Sequence, residues 1–167
     1  HGVIALSSNY ELYGSFSDRF MSIAAGMSPA IEIYSIDEVF CGDLQGVRDV
    51  TARAWAMRER IETWLGISCC VGIAPTKTQA KLCNHIAKQA DRKPGSYPKE
   101  LARVCNWMDM GPSLRESVLA STMATDVWGV GRRIGVQLAE RGIVTALDLT
   151  RMPASVARNE WSVVLER

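Results

Sequence analysis

Two adjacent acids, Asp37 and Glu38, lie in a segment whose other residues are typical of a buried strand. A buried, unpaired carboxylate is unfavourable, and two neighbouring carboxylates also repel each other. A bound metal ion, a raised carboxyl pKa, or a nearby arginine or lysine would each relieve this. Carboxylate oxygens as ligands favour Mg²⁺ or Mn²⁺ over zinc. The alternative is a surface turn, where acids are common and need no function.

The geometry of a strand limits how this acid pair can act. Neighbouring residues of a straight strand point to opposite faces, so both carboxylates can share one ion only at a turn. The pattern from Ile31 to Phe40 alternates and predicts a strand that reaches the acids and turns back. We therefore expect a hairpin with Asp37 and Glu38 near its tip.

Two lysines, Lys77 and Lys81, lie in the first turns of a predicted helix that directly follows a predicted strand. Thr76 and Gln79 have the spacing of a capping box, which places the helix start there. The amides and the dipole at a helix start favour an anion, and two lysines suit a phosphate. The alternative is a solvated face of an amphipathic helix. The single histidine of this helix, His85, is predicted to be solvated.

A glycine-rich segment at residues 127–133 resembles a helix-hairpin-helix motif. Gly129, Val130 and Gly131 permit a tight turn whose backbone N–H groups face solvent at a helix start. Arg132 and Arg133 add positive charge, so the turn could hold a DNA phosphate without reading bases. The alternative is a plain helix-loop-helix corner that uses glycine for packing.

The elements that would position these residues divide the chain into two predicted parts. Apolar periodicity predicts strands and helices up to residue 110 and helices alone beyond it. The fold class is therefore α+β, with a domain at 1–110 followed by a small all-helical domain at 111–167. The predicted helices are 9–26, 50–65, 76–89, 114–123, 134–140, 146–149 and one within 153–165; the predicted strands are 31–40, 67–73 and 104–107. An aromatic stripe on the first helix, which includes Tyr13, is expected in the core.

Composition supports a soluble globular chain, with 47% hydrophobic and 22% charged residues. The net charge of +1 leaves nucleic-acid binding to local clusters of lysine and arginine. Five cysteines without a C-x-x-C pair argue against a zinc site and a disulfide framework. With no apolar run of membrane-spanning length, we expect a cytoplasmic protein and no membrane partner.

Four stretches, in this order, resemble the UmuC-type branch (impB/mucB/samB) of the Y-family translesion DNA polymerases: residues 7–13, 31–38, 71–78 and 127–133. The resemblance implies a palm remainder, with a mixed sheet and packed helices, followed by a truncated thumb that contains the helix-hairpin-helix motif. It implies error-prone, template-directed nucleotidyl transfer in SOS-type damage tolerance, with two Mg²⁺ ions. Asp37 and Glu38 would be two of three metal-binding carboxylates and Lys81 would contact the nucleotide triphosphate. Lys77 and residues 129–133 would contact DNA.

The same resemblance implies partners and missing parts. The partners would be primer-template DNA, a deoxynucleoside triphosphate, a UmuD-type accessory subunit, a RecA filament and a sliding clamp. The first catalytic aspartate and the fingers are expected before His1, and the clamp-binding region after the thumb. Residues 1–167 alone are therefore expected to be inactive and to bind Mg²⁺ weakly or not at all. Gly42 is one residue more than the family pattern has there, and it predicts a β-bulge.

Two other functions fit parts of the pattern. The chain could be a non-catalytic helix-hairpin-helix DNA-binding module on an α+β scaffold. It could also be another palm-like nucleotidyl enzyme, such as a cyclase, which would share acids on a hairpin. The glycine hairpin and its arginines argue against the cyclase.

Overall fold

The computed structural model of the chain describes residues 2–161. The described elements are α1 (Tyr10–Met27), β1 (Ala30–Ile33), β2 (Val39–Gly42), α2 (Val50–Leu65), β3 (Val71–Ile73), α3 (Lys77–Arg92), β4 (Val104–Asn106), α4 (Pro112–Ser121), α5 (Arg132–Glu140), α6 (Ala146–Arg151) and α7 (Ala154–Glu160). Single 3₁₀ turns lie at Lys99–Leu101, Trp107–Asp109 and Ala124–Asp126. The order confirms the predicted α+β class, with strands confined to the first two thirds of the described chain.

The chain forms two compact units, residues 1–69 and residues 70–167. The predicted boundary between palm and thumb at residues 110 and 111 falls inside the second unit and stays a prediction. The predicted last helix is described only as α7, because its end lies outside the described residues. Within residues 2–161, no helix combines the length and the apolar character of a membrane span.

In the first unit, β1 and β2 form the predicted antiparallel hairpin. Their register is one to one from Ile33 opposite Val39 to Ala30 opposite Gly42. The predicted bulge at Gly42 was wrong, because the strand pairs regularly up to that residue. The backbone leaves regular geometry one residue later, at Asp43, whose φ is 55°.

Two helices complete the first unit around a small core of Ile23, Met27 and Ile61. The limits of α2 agree with the prediction: the Asp49 side chain accepts a hydrogen bond from the Ala52 N–H at 2.9 Å, and Gly66 ends the helix in the left-handed region. On α1 the aromatic stripe reaches the core only in its C-terminal half. Tyr13 is 58% exposed, so its predicted core position was wrong.

In the second unit, β3 and β4 pair in parallel, and α3 connects them. The predicted strand 67–73 is shorter than expected, since only its last three residues pair with β4. The main core contains buried residues of α3, β4, α4 and the segments that connect them: Leu82, Cys83, Ile86, Ala87, Leu101, Cys105, Met110 and Val118. A second cluster, centred on Ala124, Val130 and Leu138, supports the segment before α5.

Candidate functional site

The acid pair lies in the five-residue turn that joins β1 to β2. The Tyr34 and Ser35 N–H groups both donate to the Glu38 carbonyl oxygen, at 3.0 and 3.1 Å. The Ser35 hydroxyl donates to a carboxylate oxygen of Asp37 at 2.7 Å. The hairpin tip therefore fixes the backbone at the acids and orients one of the two carboxylates.

The surroundings of the tip differ from the expected buried strand. Ile33 is 61% and Ile36 is 53% exposed, Asp37 is exposed, and Glu38 is half-buried. The apolar neighbours that suggested burial are themselves largely in contact with solvent. As folded here, the acids occupy a turn that faces water, so their charge does not by itself require a compensating ion.

Carboxylates are ligands that Mg²⁺ prefers, but two carboxylates alone do not complete a Mg²⁺ site. Mg²⁺ takes oxygen ligands in octahedral geometry, and the two acids supply carboxylate oxygens from adjacent residues. Among residues 2–161, no group of three or more His, Cys, Asp or Glu side chains is placed to hold a metal ion. A complete site would need further ligands, and the Mg²⁺ assignment of Asp37 and Glu38 stays a prediction.

The two lysines lie at the start of α3, in the second unit. The Thr76 side chain accepts a hydrogen bond from the Gln79 N–H at 3.2 Å, which confirms it as the N-cap. Lys77 is exposed and Lys81 is half-buried, one helical turn further along the same face. The structure thus brings both lysines together at a helix start, as the sequence predicted. Their contacts with a phosphate remain predictions.

The glycine hairpin joins the 3₁₀ turn Ala124–Asp126 to α5. Gly129 has a φ of 98°, in the left-handed region, so a non-glycine residue would be strained there. Val130 is buried, and its N–H donates to the Val127 carbonyl at 3.0 Å, which fixes the turn. Gly131 is the N-cap of α5 and offers no side-chain cap to the first helical amides.

Arg132 and Arg133 are both exposed on the first turn of α5. Helix amides without a side-chain cap and two exposed guanidinium groups suit a phosphate. A single 3₁₀ turn stands before the hairpin where a helix-hairpin-helix motif would have its first helix. The motif assignment and the DNA contacts of residues 129–133 therefore stay predictions.

One contact beside the hairpin was not found from the sequence. The prediction of a solvated His85 was wrong, because its side chain is 24% exposed and its Nε2 lies 3.9 Å from a carboxylate oxygen of Asp126. Its ring meets that of Tyr97 edge to face. The Tyr97 and Thr122 hydroxyls are hydrogen-bonded at 2.8 Å, and burial raises the pKa of Tyr97. These partners are distant in sequence, so no local pattern indicates the cluster.

The fold belongs to the class found in Y-family DNA polymerases. The insertion ternary complex of Dbh DNA polymerase matches 97% of this chain and 44% of its own chain, with a TM-score of 0.72 and 20% identity. The sequence profile of the impB/mucB/samB family matches residues 1–85. The chain belongs to that family.

Two curated relatives show how similar the sequence of this chain is to those of known proteins. Protein UmuC of Salmonella typhimurium (strain LT2) is 43% identical over 99% of this chain and 38% of its own length. DNA polymerase IV of Moorella thermoacetica is 30% identical over 98% of this chain and 38% of its own length. This chain therefore spans well under half of the curated relatives that it matches.

Proposed function

We propose that this chain carries the palm and thumb of an error-prone translesion DNA polymerase, whose whole form extends a primer past damaged template bases. The observation that carries the proposal is the pair of adjacent carboxylates at the tip of the β1–β2 hairpin, in a chain of the impB/mucB/samB family. The relatives that are named DNA polymerases support the same activity. In this assignment residues 1–110 form the palm and residues 111–167 form the thumb.

Asp37 and Glu38 are the residues that would hold Mg²⁺. When bound, two Mg²⁺ ions would stabilise the attacking and leaving oxygens during nucleotidyl transfer. The Ser35 hydroxyl keeps the Asp37 carboxylate oriented, at 2.7 Å. Because Asp37 faces solvent and Glu38 is only half-buried, additional ligands can approach both of them.

In this proposal, positively charged side chains of the second unit bind the nucleotide and the DNA. Lys81 contacts the triphosphate of the incoming deoxynucleotide, and Lys77 contacts DNA. The hairpin of Gly129, Val130 and Gly131, together with the arginines at 132 and 133, holds a phosphate of the primer-template backbone. Such contacts position the DNA without reading its sequence, which suits an enzyme that must accept damaged templates.

Other partners follow from the family. A UmuD-type accessory subunit, a RecA filament and a sliding clamp are proposed for the whole protein, in the cytoplasm of a bacterial cell. The alternative, a non-catalytic DNA-binding module, uses only the glycine hairpin and leaves the acid pair without a role. The hairpin geometry at Asp37 and Glu38 favours the polymerase.

The test is primer extension by the full-length protein with Asp37→Asn and Glu38→Gln, which keep the size of each side chain and remove its charge. Each is expected to lower the synthesis rate roughly 100-fold or more, because the metal ligands are lost. Glu59→Gln, on an exposed position of α2, is the matched control and should leave the rate unchanged. Full synthesis by the Asp37 and Glu38 variants would refute the polymerase assignment and favour the DNA-binding module.

A second measurement concerns residues 1–167 alone. With two carboxylates in place of a complete metal site, this chain is expected to give no template-dependent synthesis with Mg²⁺ and four nucleotides. Calorimetric titration with Mg²⁺ is expected to show weak binding or none. Synthesis by residues 1–167 would contradict this part of the proposal.

A further inference from the structure

The 3₁₀ turn Ala124–Asp126, which precedes the glycine hairpin, is in contact with α3 through a side chain. His85 of α3 has its Nε2 3.9 Å from a carboxylate oxygen of Asp126, which is within ion-pair distance. The His85 side chain is 24% exposed, so neighbouring residues cover most of its surface. Asp126 lies three positions before Gly129. The helix that carries the two lysines therefore contacts the segment that leads into the hairpin.

A tyrosine connects the same histidine to the end of α4. The Tyr97 ring meets the His85 ring edge to face, with the ring centroids 6.4 Å apart. The hydroxyl oxygens of Tyr97 and Thr122 are 2.8 Å apart. Thr122 donates its one hydroxyl proton to the Val118 carbonyl oxygen at 2.7 Å, so Tyr97 is the donor in its bond to Thr122. Because Thr122 is buried, this hydrogen bond fixes the Tyr97 ring beside His85.

The same turn is held from another side by α5. Thr125 packs so closely against Gly135 of α5 that a Cβ on this glycine would overlap the Thr125 methyl group. Thr125 and Asp126 are neighbours, and their side chains contact α5 and α3 respectively. The first residues of α5 are Arg132 and Arg133. In a close-packed interior, a displacement of Asp126 would therefore also displace the start of the helix that carries the arginines.

We propose that His85 and Tyr97 are positioning residues for DNA binding, which hold the glycine hairpin at a fixed place relative to α3. This rests on the proposed function, because it takes the hairpin and its arginines as the contact with a DNA phosphate. Both residues act through the turn at 124–126 rather than by touching DNA. The spacing between that phosphate and the nucleotide triphosphate at Lys81 is then set by packing within the second unit, before either substrate binds.

A positioning role and a purely structural role of these two residues have different consequences. A structural contact contributes to the free energy of unfolding and leaves the DNA contacts of the folded protein as they are. A positioning contact changes how many phosphates the folded protein holds. The number of phosphate contacts sets the slope of log affinity against log salt, so this slope distinguishes the two roles.

The test is fluorescence anisotropy of the full-length protein on primer-template DNA at several salt concentrations. His85→Ala is expected to lower the affinity roughly 5-fold to 10-fold and the salt slope by about 1, because the hairpin no longer holds its phosphate. His85→Gln keeps a side-chain N–H and should lose less affinity than His85→Ala. Tyr97→Phe removes only the hydroxyl and should weaken binding by roughly 2-fold or more. Gln89→Ala, half-buried one turn further along α3, is the matched control and should bind DNA as the parent does.

A combined variant shows whether the effect passes through the hairpin. In a protein that already carries Arg132→Ala and Arg133→Ala, His85→Ala should cause no further loss of affinity. Additive losses overturn the proposal. A His85→Ala protein that unfolds at a lower temperature but keeps the affinity and the salt slope of the parent also overturns it. If His85→Ala does not fold, Tyr97→Phe gives the same comparisons with one oxygen atom removed.

Two results separate this proposal from the proposed function. If the arginine variants lose affinity and the His85 and Tyr97 variants do not, only the positioning role is refuted. If the arginine variants keep the affinity and the salt slope of the parent, the hairpin holds no phosphate, and its proposed DNA contact fails together with the positioning role. The polymerase assignment is tested separately by primer extension with the Asp37 and Glu38 variants.

Discussion

Gly72 has the closest packing of any described glycine, at the point where α3 crosses β3. An added Cβ would overlap the Ala80 carbonyl oxygen and the Asn84 nitrogen, and both belong to helix backbone. Backbone atoms of a helix cannot move away from an added Cβ as easily as the end of a flexible side chain can. Gly72→Ala is therefore expected to destabilise the chain by about 3 kcal/mol or more, measured by urea unfolding.

The control is Gly14→Ala in the interior of α1, where nothing lies within 4 Å of the added Cβ. Alanine loses less backbone entropy than glycine in a helix, so this variant is expected to gain about 0.5–1 kcal/mol. The two Gly→Ala changes should have opposite signs. A loss of stability at both positions, of similar size, would contradict the packing argument.

Asp148 gives a pH-dependent prediction at the start of α6. Its carboxylate accepts hydrogen bonds from the Thr145 hydroxyl at 2.7 Å, the Thr145 N–H at 2.9 Å and the Val144 N–H at 3.2 Å. The Thr145 hydroxyl is the main cause that lowers the pKa of Asp148, followed by the two amides. The folded state binds this proton less tightly than the unfolded state does. Its contribution is present above about pH 4 and is lost as pH falls through the folded pKa.

Asp148→Asn should therefore have a lower thermal midpoint than the parent at neutral pH. The difference between the two should shrink as pH falls below about 4, because the parent carboxyl is then protonated. Thermal unfolding of both proteins across this pH range is the measurement. A difference that is constant with pH would show that the charge of Asp148 plays no part.

The acid pair shows how far residue types alone could predict the site. The sequence correctly places Asp37 and Glu38 at a hairpin tip, because strand alternation and turn geometry are local properties. It does not predict that Ile33 and Ile36 are exposed. An apolar residue is buried only where another segment covers it, and a local pattern carries no information about that segment.

At the scale of elements, the glycine hairpin before α5 yields a prediction about DNA. Arg132 and Arg133 are exposed beside amides that lack a side-chain cap. If each arginine contacts one phosphate, its replacement by alanine reduces the slope of log affinity against log salt by about 1. Fluorescence anisotropy of the full-length protein on primer-template DNA at several salt concentrations measures this slope.

The matched control for the arginines is Lys99→Ala, which removes one positive charge from an exposed 3₁₀ turn of the same unit. It should change the affinity slightly and leave the salt slope near that of the parent. Loss of affinity should be uniform across DNA sequences, because phosphate contacts carry no sequence information. If both arginine variants keep the salt slope of the parent, the glycine hairpin does not contact DNA phosphates.

The limits of some helices and strands were predicted more accurately than those of others. The limits of α2 and the start of α3 were predicted closely, because Asp49, Gly66 and Thr76 are local caps. The strand predicted at 67–73 is shorter because only Val71–Ile73 meets the residues of β4. Pairing depends on a partner more than thirty positions away. The contact between His85 and Asp126 was not predicted either, because these two residues are also far apart in sequence.

At the scale of the whole chain, the candidate functional residues are divided between the two compact units. Asp37 and Glu38 lie in residues 1–69, and the lysines and arginines lie in residues 70–167. The predicted boundary near residue 110 followed the change from mixed to helical composition. The core of the second unit crosses that position, since Val118 of α4 packs in the cluster that contains Cys83 and Cys105. Composition along the chain does not reveal such packing.

The two units are expected to differ in their ability to fold alone. Residues 1–69 have one small cluster around Ile61, while Tyr13 and other large apolar residues stay exposed. A chain of that length rarely gains more than about 3–5 kcal/mol from a single core. Residues 70–167 have two buried clusters, which contain β3–α3–β4 and the helices after it. The second unit should therefore be the more stable when expressed separately.

Circular dichroism and urea unfolding of the two separate segments test this expectation. Residues 70–167 should give a single cooperative transition with native helix content, whereas residues 1–69 should show a broad transition or none. Gly72→Ala supplies the internal control, because it should lower the midpoint of the separate second unit as it does in the whole chain. A cooperative transition in residues 1–69 of equal or greater midpoint would contradict the assignment of stability to the second unit, since the cluster around Ile61 would then suffice without it.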